Sequence, residues 1–193
     1  MKMQAYEGPQ SAFHDVIKKL TWWVLALPAI MILALVTHNL FWLDFSHVMS
    51  GVLWTGTDIF MGFILGPIIR RLEPGQRRAL INWLTPKTML YTPVLAVTTG
   101  TAGWFLAMRQ NMLVVHNPAR PWILFAIVDI ALLSVQGFGI LLPNSIRTYV
   151  ELHKPVADVD KIFRLNRRNN PLAGSQGILQ ILIMLIMVLL VIQ

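Results

Sequence analysis

Cysteine is absent from this chain of 193 residues, which excludes disulfides, thiolate metal sites and cysteine nucleophiles. Charge is scarce as well: Asp, Glu, Lys and Arg make up 13% of the residues, against about 25% in soluble domains. With 55% of the chain drawn from the AVILMFWYC set, a water-soluble globular domain is excluded too. No phosphate-binding P-loop, zinc-protease helix or glycine-rich dinucleotide turn is present, and no internal repeat or low-complexity tract is evident. A cleavable leader is not expected, because Glu7, Pro9, Asp15 and Lys18 precede the first apolar run, which is itself as long as a span.

What the chain does have is apolar length. Crossing about 30 Å of hydrocarbon takes about 20 apolar residues, and five stretches reach that, roughly 21–43, 45–68, 88–108, 121–142 and 172–192. The expected fold is all-α, an integral membrane bundle of five transmembrane helices forming a single membrane domain over 1–193. Pro67 and Pro143 are expected to close the second and fourth spans, and Asn170-Pro171 to start the fifth. A short turn around Asp44 is expected to pair the first two spans, with kinks at Pro28 and Pro93.

The net charge of +7 is laid out by side. Between these spans, all of the 16 Lys and Arg fall on one side except Arg109 and Arg120. Such a bias predicts a multi-pass protein of the cell inner (plasma) membrane, with its N-terminus cytoplasmic and its C-terminus outside. It assigns the positive charge to topology and to the lipid bilayer, not to nucleic acid. Trp22, Trp23, Trp42, Trp83 and Trp122 fall near span ends, where an indole is at home among headgroups.

Ionisable residues inside spans are costly, at least about 2.5 to 3.5 kcal/mol at the bilayer centre, and usually mark function. Asp58 lies half-way along the second span, Asp129 in the outer half of the fourth and His47 near the outer end of the second. Each acid has two readings. One is a protonated or hydrogen-bonded residue that glues helices; the other is a proton-handling catalytic group, with Asp58 neutral at rest for want of a nearby cation and helped by Thr57, Thr92, Thr99 or Gln136. His47, Gly51, Trp54 and Asp58 are spaced to share one stripe, which is expected to face one partner. About 16 Å separates His47 from Asp58 along it, the scale of a flat cofactor, and Gly51 would let such a group approach. His38 is expected at a similar depth across the turn. Two imidazoles on facing helices are the usual axial ligands of a membrane haem b, so His47 and His38 are candidate metal ligands, with Gly51 and Trp54 beside them; the alternative for each histidine is a hydrogen-bonded packing residue. Gly62-x-x-x-Gly66 is a packing spacing.

The run His47-x3-Gly51-x2-Trp54-x-Gly56-x3-Phe60 resembles the histidine-glycine-tryptophan helix of a loose group of small haem-binding bacterial membrane proteins. These are the four-helix protoporphyrinogen oxidases, the copper-resistance D family and the membrane domain of cytochrome c-linked urate oxidases. The resemblance extends loosely to Thr85-Pro86 and Trp122, about a hundred residues in all, and implies haem b on His47. Where the oxidases carry an essential lysine, this chain has Asp129, so their substrate is not implied.

The expected function is a membrane b-type haem protein in electron transfer or oxidoreduction, a possible oxidoreductase with coupled proton handling and with a quinol or an outer-side redox partner. Two alternatives stand beside it. One is a proton or metal-ion transporter-like bundle using Asp58, Asp129 and Gln136; the other is an accessory subunit, in a homo- or hetero-oligomer, docking through the outer loop or the 144–170 segment.

Overall fold

A computed structural model describes residues 21–154 and 156–191. Lys2, His14, Lys18, Lys19 and the expected end of the last span at Ile192 lie outside the described residues. Five helices follow one another: α1 (Trp22–Val36), α2 (Leu40–Arg71), α3 (Pro74–Arg109), α4 (Arg120–Leu152) and α5 (Val159–Val191). Among the described residues there is no strand. By length and composition α2, α4 and α5 can each cross a membrane, with mean hydropathies of 1.6, 2.1 and 2.1. α1 is shorter, and α3 is diluted by Arg77, Arg78 and Lys87 in its first turns and by Thr88, Thr92, Thr98, Thr99 and Thr101 beyond.

Polarity is arranged inside out. Asp58, Asp129, Asn170, Gln176 and Gln180 are buried, while Phe41, Val48, Val52, Phe125, Val128, Leu132, Val135, Leu182, Leu185 and Val188 are exposed. An apolar surface of this extent is not stable in water; together with the three apolar helices it suggests a membrane protein.

Several boundaries differ from those expected, because hydropathy reads the apolar core of a helix while backbone hydrogen bonding sets its ends. The first turn is at 37–39, not at Asp44. There Asn39 caps α2 by accepting from the N–H of Trp42 at 3.2 Å, His38 takes a φ of 55°, and Asp44 rides exposed on the helix. α3 begins at Pro74, so Arg77 and Lys87 are helical rather than in a loop. α5 begins at Val159, placing Asn170-Pro171 inside it instead of at its start.

Pro67 and Pro143 do not end their helices either. Each follows a π-helical segment, Phe60–Leu65 and Gly137–Leu141, and the chain continues as α-helix to Arg71 and Leu152. A proline lacks an N–H and crowds the carbonyl four residues back, here Phe63 and Gly139, both within the widened π turns that make room for the ring.

Two arginines that topology assigned to headgroups are structural. Arg77 donates to the carbonyls of Ile69, Arg70 and Leu72 at 3.0, 3.2 and 2.8 Å, closing the C-terminus of α2. Arg109 does the same for Leu35 at the end of α1, at 3.1 Å. A cation at a helix C-terminus satisfies orphan carbonyls and complements the dipole.

Candidate functional site

The stripe on α2 meets two partners rather than one. Its upper half lies on α3: Nδ1 of His47 donates to the carbonyl of Thr99 at 2.9 Å, and Gly51 faces the Thr99 methyl, to which a Cβ at Gly51 would come within 3.5 Å. The imidazole fills a notch at Gly103, where a Cβ would come within 2.7 Å of its Cε1. Because a carbonyl can only accept, Nδ1 carries the proton and a neutral ring leaves Nε2 with its lone pair. The lower half faces α5, where Nε2 of Gln180 donates to Oδ2 of Asp58 at 3.0 Å.

His38 is not brought to the depth of His47. It sits exposed on the 37–39 turn with Nδ1 3.4 Å from an Arg109 nitrogen, whereas His47 is about 10 Å farther along α2. Gly51 and Trp54 are packed against protein, Trp54 with 4% of its surface exposed. Among these residues Nε2 of His47 is a ring nitrogen left without a hydrogen-bond role by the Nδ1 contact to Thr99. No cluster of three or more His, Cys, Asp or Glu that could hold a metal ion occurs among the described residues.

Below the upper part of the stripe α2, α3, α4 and α5 line a partly open chamber of about 110 Å³, room for several waters. Asp58, Thr85, Thr88, Thr92, Ser134, Ser145, Asn166, Asn169, Asn170 and Gln176 supply its polar lining, which contains no Lys, Arg or His. Thr88, Ser134 and Ser145 give their hydroxyl hydrogens to the backbone carbonyls of Thr85, Ile130 and Leu141. Lone pairs of Thr88 and Ser134 therefore remain as acceptors, while Ser145 already accepts from Nδ2 of Asn169 at 3.5 Å. Apolar layers flank it along the bundle: Val24, Leu27, Trp54, Leu95 and Leu133 on the side of His47, and Ile69, Ile81, Leu152 and Ile162 on the other.

Some buried polar atoms at the chamber, or beside it in the case of Gln180, which reaches it through Asp58, have no protein partner. Gln176 donates through Nε2 to the Leu133 carbonyl at 3.0 Å, leaving its Oε1 without a donor, as is Oε1 of Gln180. The indole N–H of Trp54, one turn from Asp58 and within its reach, makes no hydrogen bond of normal geometry. Asp129 is also buried with Oδ2 unpaired, but it does not line the chamber; the two acids belong to separate sites.

Asp58 gets its position from a close crossing of α2 and α5. Gly62 lies against the backbone of Gly174, Gly66 against Asn170, and Gly177 against Ile59. Small residues let the backbones touch, and Asp58, Gln176 and Gln180 flank the contact. Of the helpers expected for Asp58, Thr92 shares the chamber lining with it, whereas Thr57 and Thr99 bond their own helices, at Leu53 and Leu95, and Gln136 bonds Leu172 and Ser175. Gln176 and Gln180 were missed by sequence reasoning, although two glutamines one turn apart entering an apolar helix are a legible signal. Compared with known proteins, the chain matches no family model, and no curated protein or solved structure is significantly similar to it.

Proposed function

We propose that this chain is a five-span inner-membrane protein, N-terminus cytoplasmic and C-terminus outside, that carries a small cation, a proton or a metal ion, across the bilayer, with Asp58 as its binding carboxylate. The observation that carries the reading is the chamber: acceptor-rich, free of Lys and Arg, holding one acid and flanked along the bundle by apolar layers. Apolar layers on either side of the polar lining interrupt a continuous polar path, which suits a carrier that opens to each side in turn better than a pore. Such an acid inside a membrane bundle points to an ion path by default. The π segments and Pro86, Pro93 and Pro171 supply helix irregularities of the kind tolerated where they line a cavity. Purified protein in liposomes under an imposed membrane potential should pass protons or alkali cations well above the rate of protein-free vesicles; equal rates overturn the reading.

A second reading keeps a haem b on Nε2 of His47, in line with the resemblance of the His47 to Phe60 run. What favours it is the Thr99 carbonyl, which fixes the ring and leaves Nε2 free, the arrangement in which an acceptor on one ring nitrogen orients a histidine that ligates through the other. The iron would supply one-electron transfer, to or from a quinol or an outer-side partner, and His47 would hold and orient it. Protein purified in mild detergent should then show a haem spectrum that His47→Ala removes while the variant still inserts. A colourless wild-type protein, after expression with haem supplied, ends this reading.

A further inference from the structure

We propose that Asp58, Gln176 and Gln180 are the protein ligands of a small hard monovalent cation of the sodium class, held where α2 crosses α5. The inference rests on the carrier reading and names its ion. Gln180 binds Oδ2 of Asp58 through its amide nitrogen at 3.0 Å, and Gln176 spends its amide nitrogen on the Leu133 carbonyl. Both side-chain oxygens are thereby left as buried acceptors with nothing to accept from. Gln176 is 1% and Gln180 4% exposed, so bulk water does not satisfy them, and a buried acceptor left unpaired costs about 1–3 kcal/mol.

Counting hydrogens separates the candidates for what fills the gap. A protonated Asp58 has one O–H and can serve one of the two amide oxygens, a chamber water could serve the other, and the cation differs from this pair in balancing an ionised carboxylate. No Lys, Arg or His lines the chamber. A cation, by contrast, accepts the carboxylate, both amide oxygens and neighbouring hydroxyl lone pairs or waters together. All the donors are hard oxygens, which excludes the soft metals. A single carboxylate matches one positive charge, whereas divalent sites gather several acidic ligands.

The test is thermal unfolding of the full chain in mild detergent, at equal ionic strength of sodium, potassium or choline chloride. Sodium is expected to raise the midpoint saturably, by about 5 °C, with little effect of potassium and none of choline. Asp58→Asn and, separately, Gln176→Leu should abolish the sodium increment. Gln136→Leu, at a half-buried amide outside the chamber, should keep it even if its baseline midpoint falls. Identical midpoints in the three salts, or a sodium increment that survives both substitutions, overturn the site. Flux in liposomes without a sodium increment would remove this ion assignment and leave the carrier; a sodium increment without flux would do the reverse.

Discussion

Replacing Asp58 by asparagine is expected to cut cation flux in liposomes at least about tenfold, the equivalent of only 1.4 kcal/mol, while leaving the protein folded. The side chain keeps its shape and can still accept from Gln180, whose amide nitrogen now holds Oδ2 at 3.0 Å. What is lost is the one side chain in the chamber lining that can carry a negative charge. In a low-dielectric interior that charge does far more for a cation than it would in water. Flux should be measured beside the midpoint of thermal unfolding, so that a fall in rate is not mistaken for a fall in folded protein. An Asp58→Asn protein that unfolds at the wild-type temperature and conducts at the wild-type rate would make Asp58 a packing residue and end the carrier reading.

The second large effect is on stability and is asymmetric across one contact. Gly62→Ala puts a methyl onto the backbone of Gly174, where neither side can rotate away, and α2 and α5 must part. The expected loss is about 1–3 kcal/mol, the usual cost of overpacking. Gly174→Ala, at the other side of the same contact, directs its methyl toward the Phe63 ring at 3.5 Å, ordinary van der Waals distance. Its helix propensity gain of about 0.5–1 kcal/mol should leave stability unchanged or slightly higher. Tryptophan-monitored unfolding of both variants decides the matter: equal losses would mean the helices do not cross with Gly62 against backbone. Separation at Gly62 should also weaken the sodium response, because Asp58 and Gln180 approach each other across this crossing.

The resemblance and the residues agreed on the importance of the stripe from His47 to Asp58, and the structure divides it. Its spacing was legible because helical periodicity depends on sequence alone. Which helix each part meets was not, since α2 runs past two neighbours and the register of one helix against another is settled by side chains remote in sequence. His47 lies on Thr99 and Gly103, and Asp58 on Gln180, 122 residues away. His38 shows the same limit on a smaller scale: a cap at Asn39 in place of a turn at Asp44 moved it from the bundle to the end of it.

Composition and periodicity by themselves determined that the chain is helical and apolar and that its acids had to be turned inward, because burying a helix costs little when its backbone bonds itself and burying an acid costs a great deal. They also marked Gly62 and Gly66 as a packing face. Only the tertiary structure decided where the helices stop, since α3 and α5 extend beyond their apolar cores through polar turns. It also decided that Arg77 and Arg109 cap helices, and that Gln176 and Gln180, not Thr57, Thr99 or Gln136, stand beside Asp58. The physical reason is the same throughout. Hydrophobicity is a property each residue carries wherever it sits, whereas a hydrogen-bond partner is chosen by distance and angle, and those exist only once the helices have packed.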